Sequence, residues 1–194
     1  MNAPLPSITM TVPEFLTWSA RQPETERYEL VDGKVVPMSP ERARHNLAKL
    51  DVAIALRQAV RKADLPCTVF TDGMGIAIDA QTVREPDASV QCGAAVDPDA
   101  VLVSAPIIVV EVTSPSSERV DADDKFVDYF AVPSIEHYLV VLSGKRTVVH
   151  HRRKQDGTIE SRILHDGDIV LDPPGLTVPV AALLGPDLGV KEIH

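Results

Sequence analysis

The stretch Ile107-Ile-Val-Val-Glu-Val112 constrains this chain more than any other. Five of its six residues are apolar and β-branched, the composition of a strand buried on both faces. A carboxylate, Glu111, stands inside it. Removing a charged carboxylate from water is costly unless a cation, a metal or good hydrogen bonds compensate, so the rest of the sequence has to supply a partner. Asp87, Lys125 and a divalent cation between them are the candidates, and the expectation is a metal-dependent hydrolytic site at this strand end.

The flanking sequence predicts the elements around that strand. Thr11-Val-Pro-Glu14 has the form of a capping box with proline in the first turn, which predicts a short helix through Phe15, Leu16 and Trp18, ending near Arg21. Residues 27 to 38 alternate around Asp32-Gly33 and predict a hairpin with Glu29 on its first strand. A long helix is expected from Ser39 or Pro40, with His45 in its first turns. Leu47, Leu50 and Ile54, flanked by Ala53, Leu56 and Val60, form its expected apolar stripe. Short strands follow at 67–71, 74–78 and 86–91, the last beginning near Asp87. Ser114-Pro-Ser-Ser117 breaks the central strand, Asp121 to Phe130 reads as a helix stopped by Pro133, and the remainder is β-rich up to a short apolar ending at 176–184. The expected fold class is α/β, a mixed sheet flanked by helices with additional hairpins, in one domain over residues 11–184 with tails at 1–10 and 185–194.

In such a sheet Asp87 opens one strand and Glu111 closes another. If the two strands are antiparallel neighbours, both carboxylates project at one edge. Two carboxylates and a backbone carbonyl, for which Val112 is the candidate, suit Mg²⁺, with Mn²⁺ as a substitute, because such an ion keeps several waters. Lys125 adds positive charge near a water or phosphate, Glu29 offers a further carboxylate, and His45 can bind phosphate or relay a proton.

Other features narrow the function. No apolar run approaches the length of a membrane span. The first residues lack a basic start and a long apolar segment, so a cytoplasmic location is expected. Cys67 and Cys92 are the only cysteines and form no Cys-x-x-Cys pair, which predicts two buried thiols rather than a disulfide framework or zinc cluster. A net charge of −9 opposes nonspecific binding to polyanions, although Arg42, Arg44 and Lys49 can make a local basic patch. Ser114, Ser116 and Ser117 lack a Gly-x-Ser-x-Gly elbow, which sets a serine hydrolase aside. His150 and His151, adjacent on a strand, point to opposite faces and do not share a metal.

Taken in order, Tyr28-Glu-Leu-Val-Asp-Gly33, the helix bearing His45, Glu85-Pro-Asp87, Val109-Val-Glu-Val-Thr-Ser-Pro-Ser-Ser117 and the segment from Asp121 through Lys125 to Tyr129 resemble the Uma-type family of predicted endonucleases. That family belongs to the restriction-endonuclease-like PD-(D/E)XK nuclease superfamily. The resemblance runs from about Val12 to Leu184. It implies a magnesium-dependent phosphodiesterase site in which Asp87 matches the aspartate of the first motif and Glu111 the acidic residue of the second. Thr113 stands where the superfamily's lysine is expected, and Lys125 on the following helix is its migrated counterpart. The leading expectation is a Mg²⁺-dependent DNA endonuclease acting as a homodimer. A catalytically silent nucleic-acid or protein-binding module of the same fold, and hydrolysis of another phosphate ester, are the rivals.

Overall fold

The computed structural model describes residues 6, 8–23, 25–93, 95–113 and 122–187. Its centre is the apolar stretch identified above. Strand β7, Pro106–Thr113, lies between β6, Ala88–Cys92, and β8, His137–Leu142, in a six-stranded sheet. That sheet is completed by β3, Cys67–Thr71, outside β6, and by β9, Thr147–Arg153, and β10, Ile159–Leu164, outside β8. Only β7 and β8 are parallel among its described pairings. A parallel return needs a crossover, and α3, Ala122–Ala131, lies on it.

The two faces of the sheet bury different layers. Ile108, Val110 and Val112 pack on one side with helix α2, Ala43–Ala63, the small sheet of β11, Asp168–Leu171, and β12, Leu176–Pro179, and the short helix α4, Val180–Leu184. Val109 faces the other side, where Tyr129 of α3 packs with Tyr138 and Ile135. A second sheet joins β1, Tyr28–Val31, and β2, Lys34–Pro37, to β4, Ile76–Ala77, and β5, Val83–Arg84. Helix α1, Val12–Ser19, packs there through Phe15. Its predicted cap is present, with the Thr11 amide donating to the Glu14 carboxylate at 2.8 Å. Asp32 and Gly33 turn the β1–β2 hairpin with φ of 49° and 75°. A Cβ at Gly33 would also lie 2.2 Å from Thr9, so glycine is required there twice over.

Three sequence expectations change. Helix α2 begins at Ala43 and turns a different face inward: Ala48, Val52, Ala55, Leu56 and Ala59 are buried, while Leu47, Leu50 and Ile54 are 45%, 52% and 44% exposed. Ranking by hydrophobicity favours leucine, but alanines let a helix sit closer to a sheet. Cys67 and Cys92 are not thiols. They face each other in the antiparallel β3–β6 register and form a disulfide, a pairing made by strand alignment over 25 residues that no short spacing discloses. The apolar ending is a strand followed by a helix, which closes the core over α2. Ser114, Ser116, Ser117 and Asp121 lie outside the described residues.

Candidate active site at the rim of the central sheet

The antiparallel register of β6 and β7 pairs Ala88 with Val110, both on the α2 face. Alternation then sends Glu111 to the opposite face, and Asp87, one residue before β6, lies at the same rim. Asp87 is 7% and Glu111 6% exposed. Asp87 is fixed from two sides: its Oδ2 accepts from the Val112 amide at 2.6 Å, and its Oδ1 lies 2.9 Å from Lys49 Nζ. Glu111 Oε1 accepts from Tyr129 OH at 2.6 Å and from Lys125 Nζ at 3.0 Å. Lys125 and Tyr129 are four residues apart on α3, so one helical face delivers both. Burial pushes the Glu111 carboxyl up to about 7, with Lys125 opposing and the Asp87 charge adding to the rise.

Helix α2 approaches from the other side. Glu41, just before it, and His45 and Lys49 recur every fourth position and share a direction. His45 Nε2 donates to the Val112 carbonyl at 2.6 Å and lies 3.7 Å from Asp87 Oδ2, while its Nδ1 is 3.4 Å from Glu41. Lys49 is 5% exposed and also holds Glu41 at 2.5 Å and Asp72 at 2.8 Å. Burial works to lower its ammonium pKa, but Asp87, Asp72 and Glu41 outweigh that and hold it above the ordinary lysine value. Arg27 continues the chain of alternating charge, pairing with Asp72 at 2.8 Å and contacting Glu85.

Asp87, Glu111, Lys125, His45 and the Val112 carbonyl therefore converge on one rim. Glu29 is held to one side, accepting the Glu85 amide at 2.9 Å and pairing with Arg84 Nη1 at 3.3 Å, while Arg84 Nε bonds Asp128 at 2.7 Å. Lys125 reaches back from α3 to Glu111. Lys49, expected in a basic patch with Arg42 and Arg44, is instead buried among three acids, and Tyr129, not expected at the site, bonds Glu111. Each stands four residues after a residue already singled out, His45 and Lys125, and that helical spacing was the available signal.

The donor set fits a hard cation. Two carboxylates crowd one buried rim, and among the described residues the Thr113 Oγ1, two residues past Glu111 on the same strand face, is buried without a hydrogen-bond partner. The described residues contain no group of three or more His, Cys, Asp or Glu side chains arranged for a metal. The residues that would hold such an ion are Asp87, Glu111 and the Val112 carbonyl, with water completing its shell.

A mixed sheet with helices on both faces and paired acids at the end of its central strand places the molecule in the restriction-endonuclease-like class of nuclease folds. A crystal structure described as a putative nuclease belonging to DUF820, from Anabaena variabilis, superposes with a TM-score of 0.69 over 90% of this chain and 97% of that one, at 16% identity. Residues 12–182 match the Uma2 family, described as "Putative restriction endonuclease", and the chain belongs to that family. Two uncharacterized proteins of Synechocystis are similar to it. One, slr1290, is 28% identical over 157 residues, covering 80% of each chain. The other, sll1609, is 24% identical over 150 residues, covering 76% of this chain and 82% of its own.

Proposed function

We propose that this protein hydrolyses phosphodiester bonds in DNA with Mg²⁺, or Mn²⁺ in its place, bound at the rim formed by Asp87 and Glu111. One observation carries the reading: two acids 24 residues apart are buried side by side where β6 begins and β7 ends, each held by a lysine from a different helix. Asp87, Glu111 and the Val112 carbonyl hold the ion, which when bound supplies Lewis-acid chemistry to a phosphate oxygen. Tyr129 fixes the orientation of Glu111, Lys49 that of Asp87, and His45 the strand backbone between them. Lys125 orients a water or a phosphate oxygen through its ammonium, the part that the superfamily's strand lysine plays. With a chain charge of −9, binding of DNA relies on the ion and these local cations. Cutting both strands with one site per chain takes two copies, so the active species is a homodimer.

The same ion pairs favour a second reading, a silent binding module, because Lys49 and Lys125 already neutralise both acids. Calorimetric titration of Mn²⁺ into the wild type and into Glu111→Gln, alongside plasmid nicking, separates the two. The nuclease reading expects a binding event and nicking that both vanish in the variant. Equal heats from both proteins and no nicking would leave the silent module. Release from small phosphodiesters without nicking would move the substrate away from DNA.

A further inference from the structure

Among the described residues nine large apolar side chains are exposed, and three of them, Leu47, Leu50 and Ile54, fall in one line on α2. Scattered single exposures need no explanation, whereas a line at i, i+3 and i+7 is the pattern by which one helix receives another. At about 100° per residue this line points away from the side that carries His45 and Lys49 to the acidic rim. The stripe thus has no part in holding Asp87. It is bordered by cations. From Arg42 to Lys62 the exposed charged residues are Arg42, Arg44, Arg57, Arg61 and Lys62, and the only acid in that span, Asp51, is half-buried beside Gly185. Apart from Asp51, which stands four residues after Leu47, the charge on this face is positive, which is unexpected in a chain of net charge −9.

We infer that this face of α2 docks an acidic amphipathic helix of another protein, with apolar residues seated on Leu47, Leu50 and Ile54 and carboxylates meeting Arg44, Arg57 and Arg61. Charge selects this occupant over two others. A second copy packed antiparallel through the stripe would set Leu47 against Ile54 and Arg44 against Arg57, bringing like charges together. Three side chains also fall well short of the roughly 800 Å² per partner that a stable dimer buries. A nucleic-acid backbone would use the arginines but gains nothing from exposed leucines, since phosphate contacts are polar. An acidic helix satisfies both features at once, with flanking charges setting partner choice and orientation as they do between paired helices.

The test uses the full chain and fluorescence anisotropy with two labelled helical peptides of about 20 residues, long enough to hold a helix. Both carry leucines at i, i+3 and i+7; one is flanked by glutamate and the other by lysine. The glutamate peptide is expected to bind at least about tenfold tighter, with affinity falling as salt rises. Leu50→Gln with Ile54→Gln should lose at least about tenfold, and Arg57→Glu with Arg61→Glu should reverse the preference, all with an unchanged circular dichroism spectrum because these side chains are exposed. Equal binding of the two peptides, or no change in the variants, overturns the inference. So does a dimer seen by ultracentrifugation that the Leu50/Ile54 variant abolishes, or a DNA duplex whose binding that variant abolishes. Nicking by the same variants is a separate readout, so the docking face and the nuclease reading stand or fall apart.

Discussion

Among the polar groups buried at the central sheet, two pairs are buried in opposite ways. At the rim, Asp87 and Glu111 draw ammonium groups from α2 and α3. On the α2 face, toward the other end of the strands, His137 and His150 make a closed neutral chain. His137 Nε2 donates to the Pro173 carbonyl at 2.9 Å, which leaves its Nδ1 to accept from His150 Nε2 at 2.9 Å. Burial lowers His137 to about 4 and His150 to about 3, so neither carries charge at neutral pH. The histidine chain is satisfied by its own protons and a carbonyl. The acids each take one neutral donor, the Val112 amide and the Tyr129 hydroxyl, and beyond that depend on ammonium charges brought from two helices, an arrangement that pays for itself where a cation and a charged substrate are to be bound.

The largest contrast is expected in activity. Glu111→Gln should lower nicking at least about a thousandfold while leaving the metal-free fold as stable or more so, because an acid crowded against Asp87 is removed; a large fall in melting temperature would make Glu111 a structural ion-pair member instead. Lys49→Met comes next, at about 3 kcal/mol of stability, since it strands Asp87, Asp72 and Glu41 around a missing cation. Urea unfolding measures this, and a loss under about 1 kcal/mol would show that the three acids find other partners. His137→Ala should cost about 2 kcal/mol by leaving the Pro173 carbonyl and a His150 donor unpaired, yet leave nicking per folded molecule unchanged. A loss of nicking would tie the histidines to the rim after all.

The two pairs should also answer pH in opposite directions. Histidines whose folded pKa lies below the unfolded value of about 6.5 give their full stability above that pH and lose it as pH falls toward about 4. Glu111, raised from 4.5 to about 7, contributes fully below pH 4.5 and loses that contribution as pH rises through 7. Melting curves in chelator-containing buffer should therefore lose their neutral-side decline in Glu111→Gln and part of their acid-side decline in His137→Ala. Parallel curves for wild type and both variants would show that neither group titrates as its burial dictates. Tyr129→Phe should have the smallest effect, about 1 kcal/mol, with a further rise in the Glu111 pKa because a donor to the carboxylate is lost.

The strands and the meeting of Asp87 with Glu111 were legible because a period of two and an antiparallel return fix which side chains share an edge. The inward face of α2 was not, since Ala48, Ala55 and Ala59 say little by hydrophobicity and matter through how closely they let the helix approach. Lysine is seldom buried, so the sequence places Lys49 in a surface patch; its three acidic partners are Glu41, Asp72 and Asp87, whose convergence is a tertiary fact. The Cys67–Cys92 bond was hidden for the same reason. Glu29 shows the limit from the other side: its position on the hairpin was right, but Arg84, from a short strand absent from the sequence reading, claims it.

The parallel pairing of β7 with β8 gives the rim two addresses for one charge. A chain that leaves the sheet at Thr113 and returns beside its own strand must carry its connecting helix back across the point of departure. An ammonium can then arrive from the strand itself or from the helix behind it, as Lys125 does. Positions 113 and 125 are twelve residues apart on paper, yet the strand end and the helix serve the same carboxylate, so the topology leaves the source of that charge open while its target stays put.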